Sequence, residues 1–295
     1  MATEECFITH NKSGVLDIAS HQKRLKATKN LALPLEEELH LLNQLTEFEL
    51  GRSLLAKKGL EAYWISYSIV QGPYLQLSHP LENWIIHKAP VFKSTQERFR
   101  IFQDQLKSYV KSEMTVASVP CGLMDVSLSL DFSHLENVKL VGIDLDKDTL
   151  NLANKNAEKN NKTSITSFLR QDAWNLEIDE KYDILISNGL NIYEHDDQKV
   201  VELYKEFFKA LKSDGILILS FLTPPPSLSK ESSWKNYNLE DALKQKAVFG
   251  DIIQAQWQAS RTENQTREQL KAAGFKVLKV IYDSQGMFPT IIGQK

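Results

Sequence analysis

A glycine and an acid carry the first chemical signal in the chain. Gly122 closes the break Pro120-Cys121-Gly122, and Asp144 ends the apolar run Val138-Lys139-Leu140-Val141-Gly142-Ile143. A glycine lets a backbone come close to a ligand, and a carboxylate at a strand tip can accept hydrogen bonds from ribose hydroxyls. Further on, His195 and Tyr193 offer side chains for proton transfer, the imidazole because it titrates near neutral pH. His195 also sits in the polar run Glu194-His195-Asp196-Asp197 and reads as a solvent-facing helix start, while Tyr193 reads as packed on the helix that follows. Cys121 is a small hydrophobe in this reading, since no cation near it in sequence would lower its pKa. Tyr63, Trp64, Tyr67 and Trp84 form an aromatic group that can line a pocket or fill a core. Arg98 and Lys230 read as solvated. The histidines and cysteines lack metal-ligand spacing, so no metal is expected. Neither a Gly-x-Ser-x-Gly elbow nor a phosphate-binding Gly-Lys-Ser/Thr loop occurs.

The elements that must position these residues change character at Met114. Met114 to Val119 is a short β-branched run, a strand buried on both faces. Leu123 to Leu130 has helical spacing, and Val138 to Ile143 is a second strand. A helix is predicted over Asp148 to Asn160. A third strand, Ser164 to Arg170, leads into Gln171-Asp172-Ala173-Trp174. A fourth, Tyr182 to Ser187, opens into Asn188-Gly189-Leu190-Asn191-Ile192-Tyr193. A helix capped by Asp196 or Asp197 turns at Ser213-Asp214-Gly215 into a fifth strand, Ile216 to Phe221. Pro224-Pro225-Pro226 opens a polar insert to about Gly250, able to act as a lid. A helix through Arg267 and Leu270 ends at Gly274, and two strands close the chain, Phe275 to Tyr282 and Phe288 to Ile292. Such alternation implies a mainly parallel sheet with helices on both faces. The last connection is too short for a crossover and forces one antiparallel edge.

Before Met114 no such alternation exists. Residues 1–30 read as a loose polar lead-in. Pro34 opens a helix carrying Leu35, Leu39, Leu42, Leu45 and Phe48, which Gly51 can end. Pro80 to Ala89 suits a short helix. Ser94 and Glu97 form a capping box ahead of the stripe Phe99, Phe102, Leu106 and Tyr109. The chain thus divides into a mostly helical cap on the substrate side, residues 1–111, and an α/β domain, residues 112–295.

Composition narrows the function. At 295 residues and a net charge of −3, neither residues 1–110 (13 Lys+Arg, 12 Asp+Glu) nor the remainder (22 and 26) is a basic module. Nucleic acid is therefore not expected as a partner. No run approaches the roughly 20 apolar residues of a membrane span, so no membrane association is expected. Two cysteines and no secretory-type start point to a cytoplasmic protein.

The pattern resembles the class I S-adenosylmethionine-dependent methyltransferases, on Val119-Pro120-Cys121-Gly122, Val141-Gly142-Ile143-Asp144-Leu145-Asp146, Gln171-Asp172-Ala173, Ser187-Asn188-Gly189-Leu190 and Leu211-Lys212-Ser213-Asp214-Gly215-Ile216-Leu217-Ile218. The resemblance covers residues 112–295 and implies a Rossmann-like sheet of seven strands, mainly parallel with an antiparallel last hairpin. Leu50-Gly51-Arg52, Tyr63-Trp64 and Lys88-Ala89-Pro90 look like the helical N-terminal region of a bacterial branch of that family. The implied cofactor is S-adenosylmethionine, leaving as S-adenosylhomocysteine. By this resemblance Gly122 lies under the methionine-ribose portion and Asp144 holds the ribose. Asp172 faces the adenine amino group, the Ala173 backbone reads the ring edge, and Asn188 or Gly189 meets the methionine. Pro120, Cys121, Leu145 and Trp174 complete these loops. The family's acid-x-Gly-x-Gly-x-Gly loop is reduced here, with Ser118, Pro120 and Met124 in place of the acid and the outer glycines.

The reaction expected is methyl transfer to an O, N or S atom of a small molecule. His195 and Tyr193 are the candidate bases, and Tyr63, Trp64, Tyr67 and Tyr193 the candidate substrate residues. Strand four ends in Ser-Asn-Gly-Leu, not the Asn-Pro-Pro-Tyr of amide or adenine amino methylators. Two alternatives stand beside this reading: a non-catalytic binding or interaction protein with the same fold, and an NAD(P)-dependent dehydrogenase, which the thin glycine loop disfavours.

Overall fold

The computed structural model describes residues 17–256 and 258–295, so Cys6 and the first half of the expected lead-in lie outside it. Within that lead-in, Asp17 caps helix α1 (Ile18–Ala27), which buries His21 and Leu25. Apolar residues at three- and four-residue spacing build α2 (Leu35–Leu45) and α3 (Glu49–Lys57). Gly51 does not end a helix. It lies in the first turn of α3, where a Cβ would stand 2.2 Å from the Leu45 carbonyl oxygen. Then follow α4 (Ala62–Ser66) with a π-helical turn over Tyr67–Gln71, α5 (Pro80–His87) and α6 (Pro90–Tyr109). Ser94 and Glu97 form no capping box, because Pro90 starts that helix a turn earlier. Ser94 instead donates to Gln285 Oε1 at 3.1 Å, and Glu97 accepts from Ser284.

The α/β part runs β1 (Thr115–Ser118), α7 (Asp125–Leu128), β2 (Lys139–Asp144), α8 (Lys147–Lys159), β3 (Thr166–Arg170), β4 (Tyr182–Asn188), α9 (Asp197–Ala210), β5 (Leu211–Ser220), α10 (Leu239–Gln245), α11 (Glu263–Ala272), β6 (Lys276–Ile281) and β7 (Thr290–Gln294). The seven strands order as β3-β2-β1-β4-β5-β7-β6. β1 to β5 are parallel, and β7 is antiparallel to both of its neighbours. The antiparallel strand is thus not the edge. β7 slots between β5 and β6 because Ile291 and Ile292 are buried on opposite faces, whereas β6 exposes Lys276, Leu278 and Lys279 and suits an edge.

Among the described residues, three apolar clusters form the core. One face of the sheet packs Phe99, Phe102 and Leu106 of α6 with Ala153 and Ala157 of α8. The other packs Val200, Leu203, Tyr204 and Phe207 of α9 with Leu270 of α11. The third unites α1 to α6 with Ala247, Val248, Phe249 and Ile252. The insert after β5 is therefore no free polar lid. Its second half is a helix and π-turn buried among the N-terminal helices, tied by Trp84 Nε1 to Asp241 at 2.6 Å and by the Val91 N–H to Gln245 at 2.6 Å. Strand order reverses between β1 and β4, which opens a crevice at the strand tips beneath the helical layer.

Candidate functional site

A cavity of about 910 Å³ fills that crevice. β1 ends by donating the Val119 N–H to Ile186, and the Cys121 N–H goes to Ile143, both at 2.8 Å, so the first loop is pinned between β2 and β4. Gly122 (φ +49°) and Met124 (φ +57°) turn that loop through the left-handed region. A Cβ on Gly122 would meet nothing within 4 Å, which leaves its backbone face open to a ligand. Met124 stands where the family has glycine. Its Sδ lies 2.6 Å from where a Gly142 Cβ would be, so the thioether occupies the space over β2.

Asp144 Oδ1 accepts the Asp146 N–H at 3.1 Å and Oδ2 the Gly122 N–H at 3.3 Å. Burial pushes its pKa up from the usual value, and these backbone donors oppose the shift. Burial, with Asp144 alongside, also drives the Cys121 thiol up, so it remains neutral. The Gln171 N–H reaches the Asp144 carbonyl at 3.2 Å, bringing the third tip against the second. Asp172 closes a turn through Oδ1 to the Trp174 N–H at 3.0 Å. Gln171 Oε1 is buried without a partner in the cavity wall. At the fourth tip, Gly189 (φ +87°) swings the chain outward, and Ser220 Oγ stands 3.4 Å from Asn188 Oδ1.

Pro120, Cys121, Gly122, Asp144, Leu145, Asp172, Ala173, Trp174, Asn188 and Gly189 all line this one cavity. Tyr193 lines it too, and burial pushes its phenol up to about 12, so it keeps its proton at neutral pH. His195 is exposed and outside the lining. Tyr63, Trp64 and Tyr67 are outside as well. Trp64 meets Tyr63 and Tyr67 edge to face, Trp64 and Tyr67 pack toward the helical core, and Tyr63 is exposed. Ala62, Ile65 and Ile69 present the other side of the same helix to the cavity.

Arg98 is the residue that sequence reading missed. It is 6% exposed, not solvated. Its guanidinium stands 4.5 Å over the Phe288 ring, and Nη1 donates to Ser220 Oγ at 3.3 Å. Burial pushes its pKa down to about 10, which leaves it cationic at neutral pH. The stripe Val91, Thr95 and Arg98 in the cavity wall was a legible signal, since it shares one helical face. Among the described residues, seven carboxylates line the cavity against two cations, Arg98 and Lys199.

Residues 110–274 match the family described as methyltransferase domain. A crystal structure of a possible exported protein from Bordetella parapertussis is 40% identical, with a TM-score of 0.91 over 94% of each chain. The pyocyanin biosynthetic protein PhzM, 15% identical with a TM-score of 0.54, covers 88% of this chain and 70% of its own and shares the fold. The ribosomal protein L11 methyltransferase of Dictyoglomus thermophilum is 30% identical over 117 residues, 40% of this chain and 35% of that protein. The chain thus spans about a third of the length of the curated relatives it matches. No helix among the described residues is long and apolar enough to cross a membrane.

Proposed function

The chain belongs to the class I S-adenosylmethionine-dependent methyltransferases, and we propose that it transfers a methyl group from that cofactor to an O, N or S atom of a small molecule. One observation carries the reading: Gly122, Asp144 and Asp172, far apart in sequence, line a single cavity. The fit to the cofactor is physical. S-adenosylmethionine is a cation, and the lining is predominantly acidic. The open face of Gly122 admits a ligand against the backbone, and the orphaned Gln171 Oε1 offers an acceptor for an amino group. Asp144 would hold the ribose hydroxyls. Asp172, Ala173 and Trp174 would hold the base, and Asn188 and Gly189 the methionine end.

When bound, S-adenosylmethionine supplies a methyl already activated by its sulfonium and leaves as S-adenosylhomocysteine. The chain's work is then to orient the acceptor in line and to exclude water. Leu60, Ile65, Ile69 and Phe92 roof the acceptor side with apolar surface, which suits a small molecule. No base is assigned to His195, given its exposure, and Tyr193 serves as a hydrogen-bonding wall. In this reading residues 1–111 are the acceptor-side part and 112–295 the cofactor part, with the buried half of the insert completing the former. The cytoplasm is the proposed compartment, on cysteine usage, and fractionation of expressing cells tests it.

Calorimetric titration with S-adenosylhomocysteine and with NADH is the first test. Micromolar binding of the former that Asp144→Ala abolishes supports the proposal, and a preference for NADH ends it. Labelled-methyl transfer is then followed into a small-molecule extract and into ribosomal protein, the latter because of the L11 methyltransferase relatives. Label entering only protein would refute the small-molecule acceptor.

A further inference from the structure

Arg98 is a buried cation with no ion-pair partner among the described residues. Its Nε is buried without a partner, and Nη1 donates to the neutral Ser220 hydroxyl. Tyr193 and then Asp283 lie near enough to favour the charge, but burial keeps the Tyr193 phenol neutral, and the Asp283 carboxylate is engaged by the Gln285 N–H at 3.1 Å and the Phe288 N–H at 2.6 Å. Buried charges in folded proteins are paired, because desolvation without a partner is severely unfavourable. Lys199, the other cation in the wall, is exposed and cannot fill the role.

Position narrows which anion is meant. Arg98 touches Ser220 at the end of β5 and Phe288 just before β7, on the far side of β4 from Asp144 and Asp172. The adenosyl end lies across β1 to β3, whereas Arg98 borders the tip of β4, where its Nη1 would stand 3.2 Å from a Cβ on Gly189, and it shares the cavity wall with Ile65, Ile69 and Phe92. A guanidinium offers a planar fork that matches a carboxylate in two parallel hydrogen bonds, and here it lies 4.5 Å over the Phe288 ring. We propose that Arg98 binds a carboxylate of the methyl acceptor, and that the acceptor is a small monocarboxylate with an apolar body. This rests on the methyl-transfer reading above and adds the substrate class to it.

The test uses the full chain saturated with S-adenosylhomocysteine. Benzoate and cyclohexanecarboxylate are titrated beside benzamide and cyclohexanecarboxamide, with binding read by calorimetry or saturation-transfer NMR. At least one acid binds about tenfold more tightly than its amide, and Arg98→Gln reduces that preference to about twofold or less. The affinity of Arg98→Gln for S-adenosylhomocysteine stays within about threefold of the parent. Arg98→Lys, which keeps the charge and loses the fork, retains part of the preference and serves if the glutamine variant does not fold. Equal binding of acid and amide, no binding of either, or a preference that survives in Arg98→Gln overturns the proposal. So does a large loss of S-adenosylhomocysteine affinity in Arg98→Gln with 5′-methylthioadenosine binding unchanged, which would assign the guanidinium to the cofactor's own carboxylate. Failure of the parent chain to bind S-adenosylhomocysteine at all would instead sink the methyl-transfer reading.

Discussion

Asp144 Oδ2 accepts the backbone N–H of Gly122 at 3.3 Å, so the acid at the tip of β2 and the glycine after β1 form one wall of the cavity. Both residues are built into a pinned loop pair, and the carboxylate is already oriented by two backbone donors. A site organised in this way loses little freedom when a ligand binds.

Asp144 should therefore govern both affinity and its pH dependence. Removing a charged acceptor from a buried hydrogen-bonded site costs about 1.5–3 kcal/mol, so Asp144→Asn should weaken S-adenosylhomocysteine binding by about tenfold or more. Hydroxyl donors favour the ionised form, whereas burial has raised this carboxyl's pKa above the usual 3.8. Affinity should fall as the pH drops through that raised value, and the protein without ligand should gain stability over the same interval. Calorimetry at a series of pH values from neutral downward reads the first effect, and the slope should vanish in Asp144→Asn.

Glu38 carries a second pH dependence, remote from the cavity. It is fully buried on α2, accepts the Leu33 N–H at 3.1 Å, leaves Oε2 without a partner, and faces Asp251 of the π-turn after α10. Burial, with Asp251 adding to it, raises its pKa from 4.5 to about 7. The folded state therefore holds a proton that the unfolded state releases between those values, and stability should fall as pH rises from 4.5 through about 7. Urea midpoints measured across that range should show the decline, and Glu38→Gln should flatten it.

Gly142 on β2 leaves room for Met124 and Phe168. A Cβ there would stand 2.6 Å from Met124 Sδ and 2.8 Å from the Phe168 ring. Gly142→Ala should destabilise by about 1–3 kcal/mol through overpacking. Met124→Ala in the same chain should return part of that loss, and a double-mutant cycle of unfolding free energies would measure the coupling. Strict additivity would show that the two side chains do not compete for one space.

Ser94 and Glu97 both tie α6 to the β6–β7 connection, under different exposure. Ser94 donates to Gln285 Oε1 in a fully buried setting, so Ser94→Ala strands a buried acceptor and should cost about 1–3 kcal/mol. Glu97 meets Ser284 at the surface through contacts of 2.6 and 2.8 Å, and Glu97→Ala should cost less, about 0.5–1.5 kcal/mol. Denaturant midpoints of the two variants check the order.

Cys121 should be inert. Its thiol is buried and held neutral by its surroundings, and the thiolate is the reactive form. Iodoacetamide should leave Cys121 unmodified in the folded chain and label it after unfolding, as read by peptide mass spectrometry.

Much of the cofactor side was legible because it depends on local pattern and chirality. Continuous apolar runs alternating with helices specify parallel strands, and right-handed crossovers bring the ends of those strands to one edge. Once that held, residues at or just after the strand ends, Gly122, Asp144, Asp172 and Asn188, had to share a rim. Nothing finer than strand ends was needed to find them.

The acceptor side follows a different logic. Whether Tyr63, Trp64 and Tyr67 or instead Ala62, Ile65 and Ile69 face the cavity depends on which side of α4 meets the sheet, and both sides are apolar. The burial of Arg98 needs Phe288 and Ser220, and the docking of Ala247 and Val248 among the N-terminal helices needs partners as remote. The sequence by itself determined the strands, their direction and the chemistry at their tips. The three-dimensional packing alone decided where β7 enters the sheet, which helix face roofs the cavity and why a surface-type cation lies inside it, because each of these is settled by contacts between segments that carry no local signal of one another.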